Sequence, residues 1–430
     1  MSAASRIWVT LAGGVTTIVL ARVLGPRDWG GYSIAVSLLA ILTAATTLGV
    51  DQGIAYFVGA RRWEPRAALG SALRMAAVTG TLGAVAGLAL RVLIPSAFAG
   101  LPVWLTAVAV AAVPLALALA YASSIALASD RYEASMSMPA IQAVLVLAVS
   151  IPAALLFGRT GAVAALTAAI VLTALGAVVW ALLRLPSAAP TPAGQLRCAI
   201  TFGIKGYGAN TLQLVNYQLD LFILAAVASA AAVGHYALAV SLTMLLLLLP
   251  RALSSVLYPR IARLSAEGQE QTREMVETKS LRHVSLIVGV TALGMAVALE
   301  LLVVPVFGAD YRPAINLGLI LLPGAAAVGI STVLSATVVG RGKPNYSLYG
   351  ALVTTPLTIA MYATIIPSLH ATGAALASTL SYLTSFALMA WFYRRVTGRS
   401  VVPLLIPTRS EFNDLREVFR LTLSKLSWRK

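Results

Sequence analysis

Between residues 210 and 220 the chain reads NTLQLVNYQLD. On a helix turning 100° per residue, Asn210, Gln213, Asn216, Tyr217 and Asp220 share one sector of roughly 120°, while Leu212, Leu214, Leu219 and Leu221 fall outside it. Amides and a phenol donate and accept hydrogen bonds, which suits sugar hydroxyls. Interhelical packing is the alternative use, but such bonds average only ~0.6 kcal/mol, and five polar groups along three turns exceed that need. The stripe is therefore expected to line a cavity. Other ionisable residues within apolar surroundings are Asp51, Arg74, Lys205, Arg251 and Glu300. An isolated charge there costs at least ~2.5–3.5 kcal/mol. Lys205 and Glu300 lie near segment ends, where a long side chain can reach the interface. Arg74 and Arg251 offer planar guanidinium forks of the kind that bind phosphate groups. Asp51 and Arg251 are candidates for a cytoplasmic gate, with snorkelling and local capping as the alternative. Asp220 and Glu300 are candidates for ion coupling, although a structural hydrogen bond would also account for Asp220.

Nothing points to catalysis. No G-x-x-x-x-G-K-[ST] motif occurs, His235, His283 and His370 have no metal-ligand spacing, and the single Cys198 excludes a disulfide framework. We expect no metal, no cofactor and no enzyme activity. A membrane-embedded glycosyltransferase or ligase would need catalytic groups on a sizeable loop, and the odd-numbered loops are only a few residues long.

The elements that must hold these residues are membrane helices. The 430 residues are 59% hydrophobic and 11% charged, with a mean hydropathy of +0.88. Soluble chains carry about a quarter charged residues. Apolar runs of 18 or more residues recur, each able to span a core of ~30 Å as a helix and too long for a barrel strand. The expected spans, segments 1 to 12, are 6–25, 31–58, 67–93, 101–128, 136–157, 160–184, 202–226, 231–258, 281–307, 313–339, 345–366 and 371–393. Segment 1 lacks a small-residue cleavage site and is expected to remain as a helix.

Charge sets the direction. Of the 31 lysines and arginines, all but Arg22, Arg27, Arg91, Arg159 and Arg312 fall at the N-terminus, the even loops or the tail, counted with the adjoining helix ends. This places both termini in the cytoplasm of a multi-pass membrane protein, which the family resemblance given below implies is in the plasma (inner) membrane, and explains the net charge of +16 without nucleic acid. The seven tryptophans lie near segment ends or in the tail, as in an interfacial belt. Residues 259–280 mix both charge signs and read as a solvated helix. In the tail, Phe412, Leu415, Phe419 and Leu426 recur at helical spacing among Arg416, Arg420 and Lys425, which suits a helix on the anionic inner leaflet.

A phrase is written twice: WGGYSIAVSL at 29–38 and VGHYALAVSL at 233–242. At an offset of 204 the match runs without a gap from Leu20 to Leu38, including Gly30/Gly234, Tyr32/Tyr236 and Ser37/Ser241. It carries segments 1 and 2 onto 7 and 8. Six segments is an even number, so the halves form a parallel repeat. Pro114 and Pro323 occupy related places in segments 4 and 10, where both could kink their helices. The polar stripe has no counterpart: it maps onto Arg6, Val9, Ala12, Gly13 and Thr16. Small Ala12, Gly13 and Gly14 allow close approach and mark segment 1 as a candidate moving seam.

The string LARVLGPRDWGGYSIAVSLLAILTAATTLGVDQGIAYFV resembles the opening of the polysaccharide flippases (Wzx-like) of the MOP superfamily. So do YQLDLFILAAVASAAAVGHYALAVSL, LPRALSSVLYPRIARL and GRGKPNYSLYGALV. The resemblance implies an all-α polytopic membrane protein with twelve transmembrane helices in two six-helix bundles forming a V. The expected division is bundles at 1–185 and 199–394, a cytoplasmic linker at 186–198 and a basic tail at 395–430. The resemblance implies movement of an undecaprenyl-type lipid-linked oligosaccharide from the cytoplasmic to the outer leaflet by alternating access. Its partners would be that lipid-linked glycan, the bilayer and a glycan polymerase or glycosyltransferases. The related lipid II flippases usually carry charges in helix 1, and Trp8 to Leu20 holds none. Drug exporters of the same superfamily share the plan, leaving ion-coupled export of amphiphiles as the alternative.

Overall fold

Alanine, leucine and valine dominate the sequence between its glycines and prolines, and the resulting elements are helices. The computed structural model describes residues 2–185, 195–406 and 408, with side chains at all of these except 2–8, 10–11, 195–196, 204–210 and 215. The proposed tail helix and most of the linker lie outside the described residues, as do the side chains of Lys205 and Asn210. The main helices are α1 (Ser2–Thr47), α2 (Val50–Gly59), α3 (Pro65–Leu93), α4 (Val103–Val110), α5 (Val113–Ala128), α6 (Tyr132–Arg184), α7 (Gln195–Val227), α8 (Ala230–Thr243), α9 (Leu248–Ala266), α10 (Glu270–Phe307), α11 (Arg312–Gly340) and α12 (Asn345–Thr397). No strand occurs among the described residues. Eight helical stretches among them are long and apolar enough to cross a membrane. The chain is an all-α polytopic membrane protein.

Three of these long helices are broken by a single non-helical residue: Gly25 in α1, Gly158 in α6 and His370 in α12. Each falls at a corner expected from the sequence. At the first, Gly25 takes φ 68° and Pro26 follows, so the next stretch begins on a residue with no N–H to leave unsatisfied. The structure also breaks segments that the apolar pattern left continuous. Segment 2 is interrupted at Leu48 and Gly49, both with positive φ, and Tyr121 donates its hydroxyl to the buried Thr47 carbonyl at 3.2 Å. Segment 4 breaks between α4 and α5, just before Pro114, whereas α11 runs unbroken through Pro323. Segment 8 is divided into α8 and α9 by a 3-10 turn at Met244–Leu247.

The chain forms two compact units. One holds Met1–Leu238, Val304–Pro313 and Ile366–Ala371, the other Ala239–Val303, Ala314–Ile365 and Thr372–Lys430. In the first, α6 packs on α1 and α5, and α3 packs on α5. Their shared core includes Val50, Leu69, Leu117, Tyr121, Ile125 and Met138. Helix α7 packs on α2 through bare backbone: a Cβ on Gly203 would stand 1.8 Å from the Gly49 carbonyl oxygen, and one on Gly53 2.4 Å from that of Ala199. Tyr56 and Phe202 stack beside this seam at 4.3 Å. Small residues are what permit such approach in lipid, where van der Waals contact rather than water exclusion drives helices together.

The second unit has a buried ionic knot. Glu277 of α10 is fully buried and receives two hydrogen bonds from Arg341, at 2.8 and 2.6 Å. Tyr393 donates to the same carboxylate at 3.5 Å, and Arg399 reaches Thr278 and Glu274 nearby. Burial alone would lower the Arg341 guanidinium, but hydrogen bonds and charge from Glu277 outweigh it and hold it above its ordinary value. Residues 259–280 are largely solvated as expected, but Glu277 is a tie between α10 and the turn after α11.

Equivalent bonds recur in the two halves of the sequence. Thr167 donates to the Val108 carbonyl at 3.4 Å, and Thr379 to that of Ile320 at 2.7 Å. The hydroxyls of Ser123 and Ser135 meet at 3.2 Å, and those of Ser335 and Ser347 at 3.1 Å. In each case the second pair is the first shifted by about 212 residues, the same shift that relates Gly158 to His370. The Thr379 bond also satisfies a carbonyl beside Pro323, as expected where proline disturbs a membrane helix.

Candidate functional site on α7 and the corner that follows it

The polar residues of α7 run from an exposed end to a buried one. Gln213 is exposed and donates its amide to the Tyr217 hydroxyl at 2.9 Å, one helical turn on. Asn216 is buried at 8% exposure and Asp220 at 2%. One Asp220 oxygen accepts the Leu221 N–H at 2.7 Å, and the other accepts the hydroxyl of Tyr236. Tyr236 is itself fully buried. It belongs to the second copy of the duplicated phrase. On the other face of α7, Gln218 accepts a hydrogen bond at 2.7 Å from Ser37, which belongs to the first copy. Both copies therefore hold α7, from different sides and through different residues of the phrase.

The copies also meet each other within the first unit. A Cβ on Gly30 would stand 2.2 Å from the Ala230 carbonyl oxygen, and one on Gly234 1.8 Å from that of Pro26. Neither position has room for a side chain. Around this seam Tyr311 donates to the Ala21 carbonyl at 2.8 Å, His235 bonds the Asp310 carbonyl at 2.9 Å, and Arg22 caps the last carbonyls of α10, those of Pro305 and Val306, at 3.1 and 2.8 Å. Guanidinium at a helix C-terminus opposes the negative end of its dipole. Trp29, expected in the interfacial belt, is instead buried and stacked on Tyr32 at 5.5 Å.

The remaining candidates lie apart from this constellation. Asp51 sits in the first turn of α2, with Oδ1 buried and without a hydrogen-bond partner among the described residues. Arg74 is exposed on α3, 3.5 Å from the Ser71 hydroxyl. Arg251 is exposed on α9 and Glu300 exposed on α10, both in the second unit. None of these residues lines a cavity of about 950 Å³ in the first unit, which opens between the halves of α6 beside Arg131, Trp180 and Arg184. Tyr236, Gln218 and Glu277 were not singled out as site residues by pattern. Tyr236 stood in the repeat, so its identity was visible, but its hydrogen bond to Asp220 crosses the α7–α8 corner. No group of three or more potential metal ligands exists among the described residues.

A buried carboxylate on an amide-rich face can orient hydroxyls and exchange a proton or ion without leaving the helix. The comparisons with known proteins bear on the family and the fold. The model of the family described as "Polysaccharide biosynthesis protein" matches residues 19–316. The chain belongs to that family. A probable low-salt glycan biosynthesis flippase of Haloferax volcanii is 22% identical over 198 residues, which are 44% of this chain. The match spans 42% of that relative's length. Among solved structures, the lipid II flippase MurJ in an inward closed conformation superposes with a TM-score of 0.79 at 11% identity, covering 98% of this chain and 92% of that one. An inward-facing multidrug resistance MATE family transporter of the MOP superfamily gives 0.74 at 16% identity, with 90% and 95% covered. The fold is that of these membrane proteins.

Proposed function

We propose that this polysaccharide biosynthesis protein is a flippase that carries a lipid-linked oligosaccharide, on an undecaprenyl-type carrier, from the cytoplasmic to the outer leaflet. The observation that carries the proposal is the polar face of α7, with Asp220 buried against Tyr236, in a chain of this family. A glycan headgroup carries many hydroxyls, each costing several kcal/mol to strip of water without replacement. A cleft lined by Gln213, Asn216, Tyr217 and Asp220 replaces that water while the lipid tail stays in the bilayer. The reading includes twelve crossings, both termini cytoplasmic, and two six-helix bundles that rock about the cleft. The paired hydrogen bonds offset by about 212 residues support the repeat. In this reading Arg74 and Arg251 meet the substrate phosphate, and Asp51 attracts Arg251 when the cytoplasmic mouth closes. Asp220 is the preferred ion-coupling residue, and Glu300 the second candidate. Glycan polymerases or glycosyltransferases would act on the same glycan.

The likeness to multidrug transporters favours one second reading, export of small amphiphiles by the same fold. Deleting the gene separates the two. The flippase reading expects lipid-linked glycan to accumulate on the cytoplasmic leaflet, with no change in drug sensitivity; the reverse pattern overturns it. Charge reversal at Asp51 and Arg251, singly and together, tests the gate: the double reversal should recover transport lost by the singles.

A further inference from the structure

A second cavity, of about 620 Å³, lies in the first unit beside the seam between the two copies of the duplicated phrase. Its polar lining is Arg27, Arg159, Ser96 and Ser229, and the first residues of α8, Ala230 and Ala231, close one side. Only five of the 31 basic residues fall on this side of the expected topology. Two of the five have evident structural work. Arg22 caps α10, and Arg91 bonds the Leu101 carbonyl at 2.8 Å while lying over the Phe98 ring. Arg27 is exposed and has no hydrogen bond or ion pair among the described residues, yet it lines a cavity. Arg159 follows the break at Gly158 and lies across the bare backbone of Gly31, where a Cβ would stand 2.7 Å from its side chain. It is held only loosely, 3.8 Å from Asp28 and 3.5 Å from the Gly100 carbonyl. Ser229 caps α8 by accepting the Ala232 N–H at 3.2 Å. The positive end of the α8 dipole therefore faces the same space as the two guanidiniums.

We propose that this cavity is an anion site for a phosphate or pyrophosphate group. Two planar forks, two hydroxyls and a helix N-terminus on one cavity supply the kinds of donor that phosphate oxygens accept from. The volume lies within the range of ligand pockets and exceeds what a single halide needs. Asp28 is the competitor: it occupies Arg159 weakly and yields to a stronger anion. Because the site spans Arg27 of the first copy and the start of α8 in the second, a bound anion would tie the two corners together. The site concerns the resting protein and does not depend on which cargo is carried.

The test is thermal unfolding of the full chain in detergent, titrated with sodium pyrophosphate at constant ionic strength. The expected result is a saturable rise in midpoint that sodium chloride does not give. Arg27→Gln, at an exposed position, should weaken the apparent Kd about tenfold. Asp28→Asn should tighten it about threefold, an effect that a purely structural Arg159–Asp28 pair would not produce. Arg91→Gln should leave the binding unchanged. Native mass spectrometry of protein taken from nanodiscs with and without phosphatidylglycerol then separates the sources. Retention of that lipid in the wild type but not in Arg27→Gln identifies a headgroup, whereas a response to pyrophosphate alone identifies a soluble anion. No saturable response to either, or equal binding by wild type, Arg27→Gln and Asp28→Asn, overturns the site.

Discussion

The corner of α1 around Gly30 and Tyr32 and the corner of α8 around Gly234 and Tyr236 share a sequence but differ in what lies beneath them. Under the second corner the buried carboxylate of Asp220 accepts the Tyr236 hydroxyl. The equivalent place under the first is Thr16, which among the described residues bonds its own helix, at the Ala12 carbonyl 2.8 Å away. Tyr32 instead packs against Trp29. The glycines are used alike, each pressed against backbone of the other corner. The two corners thus share their backbone packing, and the second rests on a buried carboxylate where the first rests on a threonine.

That contrast can be broken at several points. The largest effect is expected from Gly234→Leu, whose Cβ would collide with the Pro26 carbonyl oxygen. Backbone cannot yield as a side chain can, so we expect loss of more than ~3 kcal/mol and little folded protein. Gly13→Leu, with nothing within 4 Å of its Cβ, should keep its unfolding midpoint in detergent. Next, Asp220→Ala should abolish transport and remove the carboxylate that accepts the buried Tyr236 hydroxyl, costing about 1–3 kcal/mol. Its counterpart Thr16→Ala should cost under ~0.5 kcal/mol and leave transport intact, as read by glycan export in complemented cells. A smaller effect is expected from Tyr236→Phe, about 1 kcal/mol with transport reduced several-fold, against no measurable change for Tyr32→Phe. Smallest is Ser37→Ala, which removes the hydrogen bond to Gln218 at a cost of about 0.6 kcal/mol. Equal responses at the two tyrosines would mean that the corners have not diverged.

The helices and most of their corners were legible because apolar runs and Gly–Pro punctuation are local signals. Gly25, Gly158 and the expected turn at 366–371 appear where the pattern placed them. The break at Leu48–Gly49 was not legible, since the backbone packed against it, that of Gly203, is over 150 residues away in the sequence. Asp220 stood out as a charge within an apolar helix, but its partner lies across a turn whose geometry the sequence does not print. Glu277 was hidden among seven other charged residues of 259–280, and only the position of Arg341 singles it out. Patterns report what a residue is, whereas partners come from packing.

The central claim is that this chain moves a lipid-linked glycan and that Asp220 is needed for it. Purified protein in liposomes containing a fluorescent lipid-linked oligosaccharide, with leaflet position read by a membrane-impermeant quencher, tests both parts. The account predicts exchange between leaflets with the wild-type chain and none above protein-free background with Asp220→Ala, provided both unfold at similar temperatures. No wild-type exchange, or equal exchange by the two proteins, would contradict it.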